Sequence, residues 1–194
     1  MTIFVFAGAQ QVPSCFFPST QQGFTMQMGQ PQFHLQTLQY HRTPLRFKFL
    51  AIIQPSTPGT NPLPGTIEEL KRLQVHVPAS SIHILRGSDA TTAKVLSGMD
   101  ECSWVHLACH GVQDESDPLQ SGLLLEDGRL QLSAIIQKHI PRGEFAFLAA
   151  GMLVAGYKGV IGTMWSIRDN DAPFVADKVY GRLLKNGQPS GVHL

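Results

Sequence analysis

The chain has 194 residues, of which only 15% are charged, and 15 basic against 14 acidic side chains leave a net charge of +1. That length suits one ordinary domain with a sizeable core, and the near-neutral balance without a basic run gives no footing for nucleic acid or an acidic membrane surface. Cys15, Cys102 and Cys109 are the three cysteines, and they read as reduced thiols of a cytoplasmic protein rather than a disulfide framework.

Residues 1–44 contain no Asp or Glu and a single arginine, Arg42, among many Gln, Pro and Gly. No helical or strand period persists there, so a poorly ordered or non-native arm is expected. Ile3–Ala9 is apolar but lacks the preceding positive charge of a signal peptide. No apolar run approaches the ~20 residues of a membrane span.

Patterned sequence begins at about residue 45. Arg46–Gln54 reads as a buried strand that stops at Pro55. Pro55–Gly65 is a loop of turn formers. Thr66 with Glu69 predicts a capping box opening a helix over 67–75. Ser81–Leu85 is a second strand, and Asp89 or Thr91 opens a helix to about Gly98. Trp104–Ala108 is a third strand. After the polar loop Asp114–Ser121, the Asp127-Gly128 turn joins Leu123–Leu125 and Leu130–Leu132 as a hairpin. Ser133 is expected to cap a helix to about His139, before Pro141-Arg142-Gly143 breaks it. Glu144–Leu148 is a strand, Ala149–Gly156 a packed helix and Lys158–Trp165 a strand. Asp169–Leu184 is an amphipathic helix with Phe174, Val175, Val179, Tyr180 and Leu183 inward, and the last ten residues lose the pattern. Strands alternating with helices argue for an α/β fold with a mostly parallel sheet covered on both faces.

The chemistry concentrates in Ser103–Gly111, SWVHLACHG. Along a strand, residues 104, 106, 108 and 110 point one way and 105, 107 and 109 the other, so Cys109 faces away from His110. Cys102 and His106 would stand about 13 Å apart in an extended strand, which excludes a shared metal ion. No metal site and no cofactor are expected; no phosphate-binding glycine loop follows a strand. His110 ends the strand at the rim where ligands of parallel sheets sit. It reads either as a histidine bonded to a loop carbonyl or as a general base near neutral pH. Gly111 beside it permits close approach of a substrate backbone. His106 and the two strand-flanking cysteines read as structural. Asp169 and Asp171 open a helix, where carboxylates stabilise the N-terminus. Trp165 nearby reads as packing.

WVHLACHG, then SGLLLEDGRLQLSAI, EFAFL and LAAGMLVAGYKGVIGTMWSIRDNDAP resemble, in this order, the motifs of the CHAT domain family. The stretch LAIIQPSTPGTNPLPGTIEEL resembles that family's first strand and loop, and the resemblance covers about residues 46–190. It implies a caspase-like three-layer sandwich, relationship to separase, cysteine-peptidase ancestry, frequent association with tetratricopeptide repeats, and roles in cell death or defence. It makes His110 the counterpart of the catalytic base and Gly111 a possible contact of the oxyanion or the substrate backbone. It also makes Asp169 and Asp171 possible receivers of a substrate side chain.

The chain departs from that pattern where the nucleophile belongs. In the family a strand like Glu144–Leu148 runs into a Ser-Ala-Cys segment and a loop; here Leu148 passes directly to Ala149. The crossover left, residues 149–158, is at the lower limit of about 10–12 residues, as expected for a deletion near 148/149. The family also continues beyond the stretch like Gly187-Gln188-Pro189, whereas this chain ends at Leu194. The expectations are therefore a CHAT-like domain over 45–194, shortened internally and at its end, with His110 retained and no matching nucleophile. Such a chain is an inactive peptidase relative, a pseudopeptidase module holding protein or peptide partners, or an incomplete product.

Overall fold

The computed structural model describes residues 47–137, 151–153, 157, 159–162, 167–185 and 188–189. The expected arm over 1–44, the strand at 144–148 and the junction at 148/149 lie outside them.

The fold is mixed α/β, built on a three-stranded parallel sheet in the order β2-β1-β3 and a separate antiparallel sheet in the order β4-β5-β6. Strand β1, Phe49–Ile53, lies between β2, Ile82–Arg86, and β3, Trp104–Ala108. Phe49 aligns with Ile82 on one side and Trp104 on the other. A parallel strand covered on both faces shows no polar alternation, and all five residues of β1 are buried. Its odd-numbered side chains, Phe49, Ala51 and Ile53, pack with Leu70 and Leu73 of helix α1, Gly65–His76, and with Ala176 and Tyr180 of helix α4, Ala172–Leu183. Its even-numbered ones, Leu50 and Ile52, pack with Val95 and Met99 of helix α2, Thr92–Glu101. Each fully buried aliphatic or Phe side chain contributes about 1.5–3 kcal/mol.

Beyond β3 the chain bends at Cys109 and enters β4, His110–Val112, which the sequence pattern did not foretell. Strand β4 adds to the expected hairpin of β5, Gly122–Leu125, and β6, Gly128–Gln131. The Asp127-Gly128 turn is as expected, with Gly128 at φ 133, a conformation that favours glycine. The turn also reaches across to α2. Asp127 accepts from the Thr92 amide at 2.8 Å and the Thr92 hydroxyl at 2.9 Å. Those bonds satisfy groups at the helix N-terminus that lack an intrahelical partner. Helix α2 runs past Gly98, and the glycine lies inside it because a Cβ there would press on Leu50.

Several expected details are corrected. Thr66 is no cap: α1 starts at Gly65, and the Thr66 hydroxyl donates to the Leu63 carbonyl at 2.7 Å. Glu69 is not in a capping box but fully buried, because it shares the inward stripe of Thr66, Leu70 and Leu73. Helix α3, Leu132–Gln137, opens one residue before Ser133, whose hydroxyl turns to the Gln131 side chain instead. Helix α4 opens at Ala172, after a turn at residues 169–171. Phe174 was expected inward but is 66% exposed, since Pro173 and Ala176 take the inward stripe. The Phe174 ring sits 5.3 Å from the Lys178 ammonium, which covers its face. Residues 159–162 of the expected strand Lys158–Trp165 adopt no regular structure, in keeping with Gly159 and Gly162 weakening a strand. Residues 151–153 are helical, as expected. A two-residue pair, β7 at Leu184–Lys185 and β8 at Gln188–Pro189, follows α4 where no pattern was legible.

The buried Glu69 faces His106 of β3, its Oε2 3.4 Å from Nε2, and both side chains are fully buried. On the other ring nitrogen, the Tyr180 hydroxyl stands 2.8 Å from His106 Nδ1. Burial, with the nearby Glu69 adding, holds the Tyr180 hydroxyl well above its usual pKa, so it is the donor and Nδ1 the acceptor. A carboxylate, an imidazole and a phenol thus join α1, β3 and α4 inside the apolar core. Removing the hydroxyl withdraws a donor from a buried acceptor, which costs about 1–3 kcal/mol. The variant Tyr180→Phe is therefore expected to unfold at lower urea, with its slope unchanged.

Candidate functional site

His110 stands where β3 gives way to β4, half-buried and opposite Leu124. The main-chain amide of Gln54, just past β1, donates to the Ala108 carbonyl at 2.9 Å, which binds the ends of the two strands together. The loop after β1 then folds back over this end. Leu63 N donates to the Pro55 carbonyl at 2.8 Å, and Thr60 N to the Thr57 carbonyl at 3.2 Å. This brings the Asn61 main-chain carbonyl to 2.8 Å from His110 Nε2. A carbonyl only accepts, so Nε2 carries the hydrogen and Nδ1 is the basic nitrogen. Of the two readings of His110, the bond to a loop carbonyl is present. It is compatible with the other, because it leaves a lone pair on Nδ1. Gly111 follows within β4, opposite Leu123.

The two described cysteines are elsewhere. Cys109 is fully buried in the apolar cluster on the α2 side, with Leu50, Leu107 and Leu123. Burial there, with the Glu69 charge adding, pushes its thiol up to about 12. Cys102 is also buried, at the opposite end of β3, and its thiol is likewise raised by burial. Cys15 lies outside the described residues. His106 is directed to Glu69 and Tyr180, on the side away from Cys109, so the cysteine–histidine spacing of this stretch does not converge. Among the described residues no group of three His, Cys, Asp or Glu side chains is placed to hold a metal ion, and no helix is long and apolar enough to cross a membrane.

Asp169 and Asp171 do different things. Asp169 is half-buried, and its Oδ2 accepts from the Gly65 amide, the first of α1, at 2.6 Å. It is a cap, but of the helix it packs against rather than the one that follows it in sequence. Its Oδ1 is buried without a hydrogen-bond partner. Asp171 occupies the N-cap position of α4 without a capping bond from its side chain, which instead pairs with Arg168 at 2.8 Å in solvent. Trp165 lies outside the described residues. Sequence reasoning missed two features: the Asn61 carbonyl, which carries no side-chain signal, and buried Glu69, whose place on the apolar stripe of α1 was the available clue.

What this end of the sheet offers is one imidazole with a fixed tautomer, seated on a loop carbonyl, with no described thiol in reach. Comparison with curated proteins and with solved structures gave no significant match. The family model described as the CHAT domain matches residues 7–150, well over half of the chain. That match starts upstream of the motifs at 46–190 and takes in most of the unpatterned arm. It ends at Ala150, so it contains the His110 strand and the loop that seats it. The chain belongs to the CHAT domain family.

Proposed function

We propose that this CHAT domain has the caspase-like layered fold of its relatives, works in the cytoplasm, and holds protein or peptide segments without cleaving them. The carrying observation is the separation of thiol from imidazole. A cysteine peptidase needs its sulfur within hydrogen-bond reach of the base, whereas Cys109 is sealed on the opposite face and Cys102 at the opposite end of β3. His110 keeps a general base's tautomer, and Gly111 beside it has no side chain to hinder a main-chain ligand. In this reading Asp169 and Asp171 are left to helix capping and a surface ion pair, and a tetratricopeptide-repeat region of a longer parent protein is a natural companion.

A second reading, that the chain is an incomplete product, is favoured by the direct passage from Leu148 to Ala149. Transcript sequencing through those codons decides it: an in-frame segment encoding Ser-Ala-Cys restores the peptidase.

Two measurements check the proposal on the chain itself. A peptidyl probe that alkylates peptidase thiols is expected to give no stoichiometric adduct; a full adduct abolished by His110→Ala would refute the proposal. Iodoacetamide at pH 8 is expected to spare Cys102 and Cys109 until denaturant is added. Burial raises both thiols, which keeps them from the thiolate form that the reagent needs.

A further inference from the structure

We infer that Asp169 is a positioning residue for His110: it anchors the first amide of α1, and a stiff segment carries that anchor to the carbonyl on which the imidazole is seated. The segment between the two bonds is short. Only Pro62, Leu63 and Pro64 lie between Asn61, whose carbonyl meets His110 Nε2 at 2.8 Å, and Gly65, whose amide meets Asp169 Oδ2 at 2.6 Å. Two of those three residues are prolines, whose rings fix φ near −65°. The third, Leu63, is buried and bonded in both directions. Its amide donates to the Pro55 carbonyl, and its carbonyl accepts from the Thr66 amide at 3.1 Å and the Thr66 hydroxyl at 2.7 Å. A segment so tied moves as one piece, and a shift at Gly65 displaces the Asn61 carbonyl.

The Asp169 end is equally tight. A Cβ on Gly65 would meet the Asp169 main-chain carbonyl oxygen and its carboxyl group, so glycine is required for this approach. The carboxylate also meets the electropositive end of a twelve-residue helix. Asp169 therefore fixes which ring nitrogen of His110 bears the hydrogen without touching the ring. The inference is independent of whether the domain cleaves anything, and it fails or stands separately from that proposal.

The test reads ring nitrogen chemical shifts of the histidines by NMR in the intact chain. The wild type is expected to show His110 as the Nε2–H tautomer; the Nδ1–H tautomer there would overturn the inference before any variant is made. In Asp169→Ala the Gly65 amide is expected to exchange roughly tenfold faster, and His110 to shift toward a mixture of tautomers. Gly65→Ala, which pushes Asp169 away instead of deleting its carboxylate, is expected to give the same His110 change. His76 is the internal control, because its Nε2 pairs with Asp177 at 2.9 Å further along the same two helices. A change at His110 with His76 unmoved supports positioning. Equal changes at both, as from general undocking of α1, or a released Gly65 amide with His110 unchanged, would overturn it.

Discussion

Alternation along a single strand governs this molecule. In β3 the odd-numbered side chains Val105 and Leu107, with Cys109 after them, join the cluster against α2. The even-numbered side chains face α1 and α4, where Trp104 and Ala108 join the other cluster and His106 meets Glu69 and Tyr180. His110, one position past Cys109, turns to the loop that leads into α1. Neighbouring residues in sequence are therefore assigned to opposite sides of the sheet. A sulfur and an imidazole at positions 109 and 110 cannot cooperate, however close they are along the chain. The same alternation places both histidines on the side where α1 and α4 pack.

On that side the structure accepts polar groups that an apolar core would exclude. Glu69 lies beside Leu70 and Leu73 with neither oxygen in a hydrogen bond, and its approach to His106 is 3.4 Å. Burying a charge is costly unless it is paired, so the pairing constrains more than it stabilises. It specifies how α1, β3 and α4 come together, because a rotation of α1 that seated another residue at position 69's site would leave the imidazole facing hydrocarbon. The Phe49 ring, edge-on to Tyr180 with centroids 5.5 Å apart, fills the space beside the phenol and keeps it directed at His106. One turn before Glu69, at the start of α1, Asp169 meets the Gly65 amide, and at the end of α1 His76 meets Asp177. The two helices are thus pinned at both ends by polar groups and along their length by apolar ones.

Much of this could be read in advance where the pattern was periodic. Apolar runs announced β1 and, with His106 inside it, β3, and Asp127-Gly128 announced the hairpin. The parity of 109 and 110 placed the thiol and the imidazole on opposite faces, as the structure has them. Local rules failed where a long-range contact overruled them. Thr66 and Glu69 have the spacing of a capping box, but a cap already arrives from Asp169, 104 residues away. Glu69 is then left to the helix's inward stripe. Phe174 fits the apolar period of α4, yet Pro173 and Ala176 make the closer approach and leave the ring outside. Strand β4 is three residues long, and only its pairing with β5 makes it a strand. The Asn61 carbonyl belongs to the backbone, which every residue has, so its role was invisible until the loop was folded.

The bond from His110 to Asn61 also gives the histidine a task that does not depend on any chemistry at its free nitrogen. An imidazole that donates to a loop carbonyl is a structural fastener in its own right, tying the first long loop to the end of β3. Replacing it would remove one of the ties that hold that loop, whether or not a nucleophile is present. A His-Gly pair at the end of such a strand is therefore a mark of loop anchoring, readable apart from any question of activity.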